Sequence, residues 1–297
     1  MNWRALLAAG VFVALLLAGV LLTRQPERQE VADAQPAPPP QRVPAVPTPL
    51  PPLTRADLID AAARAADAYA RRLPAPPENV ALVGRRFTLR LPFGCAGPGS
   101  GDDPRWGQWS YDSERQILRA SVRPQVWTQA EFVRAIAGPV EFETAEGFWL
   151  SRPWIRVAEC PANASPAAGA TPAAKAAGEA ADPERVSAGA EAAAPARGAV
   201  PETLALVEFF APGAPRAAQR NGRPYDLVVN IAPEEIDLSR GLRLVVEGRL
   251  APLPGGQPIA CRADTVDEPP LCLISGEVAR IAITDASGQQ VLAEWTD

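Results

Sequence analysis

Four cysteines, Cys95, Cys160, Cys261 and Cys272, are the residues whose type and spacing bear most directly on chemistry. No two form a Cys-x-x-Cys pair, so neither a zinc ribbon nor a dithiol redox site is supported. Four cysteines allow three pairings. Cys95–Cys160 with Cys261–Cys272 is favoured, because each bridge then lies within one of the two β-patterned stretches described below. In the chain-entropy model, loops of these lengths contribute roughly 4 and 3 kcal/mol. Disulfides persist in oxidising compartments, so this pairing places the folded part outside the cytosol. Four buried free thiols are the competing reading.

The chain contains no histidine. His-based triads, His metal sites and imidazole bases are therefore excluded. Proton transfer would fall to carboxylates, tyrosine, the single lysine Lys175 or a thiol. The loop Ala96 to Pro104 is glycine-rich and acidic, but no Gly-Lys-Ser/Thr follows, so it is not a phosphate loop. Asp102 and Asp103 fall short of the six or more oxygens that calcium takes. The remaining acids, Glu234 and Glu235 among them, read as solvated surface. No cofactor or metal is implied. A net charge of -5 gives no reason to expect nucleic acid.

Tryptophan supplies the other chemistry. Trp106, Trp109, Trp149 and Trp154, with Arg152, form a candidate binding surface of the kind that stacks on sugar rings or grips a peptide. The alternative is core packing, since each aromatic side chain buries a large apolar area.

The elements that would position these residues follow a clear layout. Residues 5–22 are an unbroken apolar run, roughly 27 Å long as a helix and close to the hydrocarbon thickness of a bilayer. They predict one N-terminal transmembrane helix behind a cytoplasmic tail of residues 1–4. A cleaved signal peptide ending near Ala34 is the competing reading. Residues 23–53 form a stalk, whose stretch 35–53 carries nine prolines and is expected to be extended, nearly 60 Å if straight. Residues 54–73 read as a short amphipathic helix. Thr54 and Asp57 cap it, and Leu58, Ala62, Ala65, Tyr69 and Leu73 lie on one face. That face docks on the β part or supports self-association.

Period-two alternation over 78–160, with Phe87, Leu89, Leu91 and Phe93 on one side of the first strand, predicts a first β unit. Strands are expected at 107–112, 116–123, 140–144, 147–152 and 155–159, with a helix over 128–137. Residues 161–201 are rich in Ala, Pro and Gly and read as a disordered linker. A second β unit is expected over 202–297, with strands at 203–211, 225–231, 242–250, 257–262, 271–283 and 290–296. The fold class expected is mainly β, in short-stranded sandwich or barrel units.

These features predict a single-pass protein of the bacterial inner membrane with its carboxy-terminal part in the periplasm. Arg24 and Arg28 oppose that orientation under the positive-inside rule; the cysteines favour it. The expected role is structural or adaptor-like, binding an envelope protein or glycan, and not enzymatic. The alternative is a carboxylate-dependent enzyme acting on a glycan, which would show two facing acids in a deep cleft.

Overall fold

The computed structural model describes residues 49–99, 106–161, 202–215 and 219–296. The expectations for the tail, the apolar run, residues 23–48 of the stalk, and residues 162–201 lie outside the described residues, as do Asp102 and Asp103. No helix among the described residues is long and apolar enough to cross a membrane.

The described residues are mainly β, with two sheets and few helices. Its organising element is the strand Leu271–Asp285, named β10 in chain order. Over Cys272–Ser275 this strand runs parallel to β6 (Leu204–Phe210), and over Leu271–Ile274 it is antiparallel to β9 (Ile259–Arg262). From Gly276 onward it changes partners. It then runs antiparallel to β8 (Leu242–Leu250) and, from Arg280, to β11 (Val291–Thr296). β1 (Arg86–Phe93) completes one end on β8. β5 (Thr144–Trp149) and the two-residue β4 (Gln125–Val126) complete the other on β6. The second sheet is antiparallel, in the order β2 (Gly107–Asp112), β3 (Ile117–Val122), β7 (Tyr225–Asn230).

A strand that leaves one partner for another needs a bend, and bends in sheets are made by glycines and bulges. Both are present. Gly276 stands at the changeover, and the register with β8 slips between Val278 and Arg280. The ring of Phe87 lies over this corner. A Cβ built on Gly276 would sit 3.0 Å from the ring, and one on Gly248 3.1 Å from it and 2.0 Å from the Glu277 carbonyl oxygen. The two glycines thus let one aromatic side chain cover exposed sheet backbone from the core side. Phe87 is 1 % exposed. Around it Leu89, Leu91, Leu206, Leu244, Val246, Ile274 and Ile281 join Trp109, Leu118 and Leu227 of the three-stranded sheet in one core.

Residues 78–160 and 202–297 do not build two β units, as expected from the linker between them. β1 pairs with β8, β3 with β7 and β5 with β6, so both stretches contribute to both sheets. Alternation fixes which face of a strand is buried; it does not fix the neighbouring strand. The expected turn between strands at 140–144 and 147–152 is absent, because β5 runs straight through it. Gly147 serves close approach there: its Cβ would lie 1.9 Å from the Leu206 carbonyl oxygen. Residues 155–159 form no strand; they belong to a loop after β5.

The helix begins where the cap predicts. α1 (Arg55–Ala70) carries the full capping box, with Thr54 N–H donating to Asp57 Oδ2 at 2.7 Å. Its buried face comprises Leu58, Ile59, Ala61, Ala62, Ala65 and Ala68, and it packs on β9 and β10. Tyr69 and Leu73, expected on that face, are exposed. The alanine stripe is therefore covered by this chain's own sheet, which leaves that stripe no free face for self-association. Two short helices follow, α2 (Pro77–Val80) and α3 (Glu131–Ala137); the latter replaces the helix expected over 128–137.

Replacing Phe87 by Ala is expected to cost about 3–5 kcal/mol in urea denaturation of the full chain, the range for emptying a buried aromatic site. Gly248→Ala should be worse still, because the added carbon meets backbone that cannot turn aside. A second expectation concerns the long connection between β5 and β6. Leu150 N–H donates to Leu204 O at 2.9 Å, so the strands flanking this connection are already joined. Shortening 161–201 by half should leave the melting temperature nearly unchanged, since loop-closure entropy changes by less than about 1 kcal/mol.

Candidate functional site

Most of the predicted aromatic surface is core. Trp109 is 7 % exposed; its indole N–H donates to Gly94 O at 3.2 Å. Gly94 has φ 63°, and a Cβ there would lie 2.2 Å from the indole, so the turn is built around that ring. Trp106 packs between Phe93 and Phe148, with both centroid distances 5.9 Å. Trp149 lies on the other face of β5, against Trp127 and Phe132. The N–H groups of Trp127 and Trp149 both donate to Gln125 Oε1, at 3.1 and 2.9 Å. Large rings close small β cores, and a buried indole needs one acceptor; each of Trp109, Trp127 and Trp149 has one. Trp106, Trp109 and Trp149 therefore do not join Trp154 and Arg152 in one surface.

Trp154 and Arg152 lie on the loop after β5, residues 150–161, which is fastened at several points. Cys160 is bonded to Cys95 at the end of β1, and Cys261 to Cys272 across the β9–β10 pair. Both bridges join the partners that the spacing favoured. The buried Arg55 guanidinium, in the first turn of α1, donates to the carbonyls of Ser151 (2.6 Å), Arg152 (3.1 Å) and Ile155 (3.0 Å). Burial, and then the nearby Arg152, lower the Arg55 pKa to about 10, so it remains charged at neutral pH. Arg156 pairs with Asp60 of α1. Arg152 itself has φ 53°, a left-handed turn that aims its carbonyl at Arg55.

A second cluster lies on the core side of β5 and β6. Glu146 and Glu208 are directly opposite in the antiparallel register. They line a cavity of about 30 Å³ with Arg220, Tyr225, Phe148 and Ile281, space for one or two water molecules. Glu146 is 4 % exposed. Both its oxygens accept from Asn221 N–H at 3.0 Å, and the N–H groups of Arg220 and Gly222 also face it. Asn221 and Gly222 have φ 51° and 75°. Successive N–H groups in such a turn form an anion-binding nest, and Glu146 fills it. Burial raises the Glu146 pKa and outweighs the opposing effects of those donors and of Arg220. Glu208 accepts from Val278 N–H at 3.1 Å, beside the bulge in β10. Arg220 lies 4.4 Å over the Tyr225 ring.

None of these four residues was singled out by the sequence reading. The signal was an acid in the apolar phase of each strand: Thr144, Glu146, Phe148 on β5 and Leu204, Leu206, Glu208, Phe210 on β6. Glu234 and Glu235 are exposed as expected, and Glu235 accepts from Ala232 N–H at 3.1 Å.

The larger concavities are surface grooves. One, of about 490 Å³, lies between Tyr69 and Arg72 on one side and Asp264, Val266 and Glu268 on the other. Another, of about 440 Å³, crosses the three-stranded sheet over Gln108, Ser110, Arg119 and Asp226. Among the described residues no group of three His, Cys, Asp or Glu is placed to hold a metal ion. No family model, curated protein or solved structure matches this chain.

A raised folded-state pKa means that the folded protein holds the Glu146 proton more tightly than the unfolded chain. Its contribution is fully present below the ordinary glutamate range and is lost as pH rises through the raised value. Subtracting the pH profile of Glu146→Gln from that of the wild type should isolate a stability difference that falls with rising pH over that window. Urea midpoints measured from mildly acidic to neutral pH would show it; a difference independent of pH would mean the carboxyl titrates normally.

Proposed function

We propose that this chain is a membrane-tethered β protein of the periplasm, structural or adaptor-like, which binds another component of the bacterial envelope and is not an enzyme. Its β part is read as a sandwich-type packing of the two sheets on one core. The observation that carries the reading is the use made of the acids. Glu146 and Glu208, the carboxylates that face each other inside the fold, are acceptors for backbone N–H groups in a cavity of about 30 Å³. Ligand sites are usually about ten times larger or more. The two disulfides support an oxidising compartment. The apolar run 5–22 and the proline-rich stretch behind it supply the tether.

One observation favours the other reading, a carboxylate enzyme acting on a glycan: Glu146 has a raised pKa, as a general acid would. The absence of room for a sugar ring between the two acids weighs against it.

Co-purification from detergent-solubilised membranes tests the proposal. An envelope partner should be recovered equally with the wild type and with a Glu146→Gln/Glu208→Gln variant. Glycan hydrolysis that disappears in that variant would overturn the adaptor reading. The full-length chain should also stay in the pellet after alkaline carbonate washing. Release at a mass lacking the chain through Ala34 would replace the anchor with a signal peptide.

A further inference from the structure

Two large apolar side chains stand exposed on the loop after β5. Trp154 is 59 % exposed and Val157 60 %. The backbone beneath them is held by the Arg55 hydrogen bonds, the Cys95–Cys160 bridge and the Arg156–Asp60 pair. An immobilised loop that presents an indole to solvent has already lost the freedom that binding would otherwise cost. Residues 151–158, SRPWIRVA, contain two arginines and no acid. The acids beside the loop are already engaged, Asp60 by Arg156 and Glu159 by Arg240 (2.9 Å) and Arg243 (3.9 Å). With Arg152, four guanidinium groups stand against two carboxylates. The loop packs on the first turn of α1, the first helix after the proline-rich stretch in the chain.

We propose that residues 151–157 are a peripheral membrane contact. Trp154 and Val157 enter the boundary between headgroups and acyl chains, and Arg152 and Arg156 pair with the phosphates of anionic lipid. The assignment rests on the membrane tether proposed above. An indole prefers that boundary because one edge of it is polar. Guanidinium groups match phosphate oxygens in pairs, and Arg156 keeps a side chain 65 % exposed beside its bond to Asp60. Two arginines and one tryptophan make a weak site alone. A tether converts docking into an intramolecular event with a high effective concentration, so a weak site becomes occupied. An acidic protein surface could use the same residues. The run of cations without acids, in a chain whose sequence carries an apolar anchor, favours lipid.

The test uses the full chain reconstituted in vesicles that contain phosphatidylglycerol and a lipid brominated near the headgroup. Tryptophan quenching is compared between wild type and Trp154→Phe, with disulfide mapping to show that both are folded. The wild type is expected to show extra quenching, lost at high salt or in pure phosphatidylcholine. Arg152→Gln with Arg156→Gln should lower the ratio of docked to free loop roughly 30-fold. Equal quenching of wild type and Trp154→Phe in carbonate-resistant vesicles overturns the lipid contact and leaves the tether standing. Loss of the chain from the vesicles on carbonate washing overturns the tether instead. A photocrosslinker at position 154 that captures a protein and not lipid in intact cells also overturns the proposal.

Discussion

The contact on which the fold depends is the Phe87 ring against the backbone of Gly248 and Gly276. β10 belongs to β6 and β9 in its first part and to β8 and β11 in its second. The junction exposes peptide groups that no side chain of its own covers. An aromatic ring from β1, two strands away, closes the gap from inside. Any side chain at Gly248 meets the Glu277 carbonyl, and a smaller residue at 87 leaves the corner open. Because β10 carries both halves of the eight-stranded sheet, disturbance at this corner reaches every strand from β1 to β4.

Titratable groups inside the fold are held by backbone. Arg55 donates from Nε and Nη2 to three carbonyls of the loop after β5, with its Nη1 left buried and unpartnered, and Glu146 accepts from the N–H groups of the turn at 220–222. A buried ion pair costs desolvation on both sides. Here each group orders irregular chain whose polar groups lack ladder partners. Arg55 and Glu146 therefore define loop shape, and Arg55 is why the loop bearing Trp154 has a fixed form without being a strand.

Much of this was legible locally. The period-two pattern of Phe87, Leu89, Leu91 and Phe93 gave the buried face of β1, and Thr54 with Asp57 gave the start of α1. The span 242–250 was read with its observed limits, since alternation and flanking turns are local properties. Disulfide pairing was legible because Cys261 and Cys272 bracket a hairpin. What was not legible is long-range. Pairing of β1 with β8 spans the whole middle of the chain and leaves no mark in either segment. The tryptophans misled for a related reason: a ring reads alike whether it faces a ligand or Gly94, and only the approach of distant backbone decides. Glu146 and Glu208 face each other because β5 and β6 are neighbours, although the long connection between them separates the two acids in sequence.

The parallel pairing of β10 with β6 bears on the order in which the chain can be made. β1, β5 and β6 are all complete before β8 and β10 emerge from the ribosome, so β1 waits without β8, and the β5–β6 pair waits with the β6 edge that β10 takes still open. Topologies rich in distant contacts fold slowly and pass through states prone to aggregate. Cys95 and Cys160 are both available in that interval, whereas Cys261 and Cys272 arrive with the central strand itself. The first bridge can hold the early strands close together in an incomplete fold; the second can close only when the piece that completes the sheet has been delivered. Birth order thus divides two bonds of the same kind into one that waits and one that finishes.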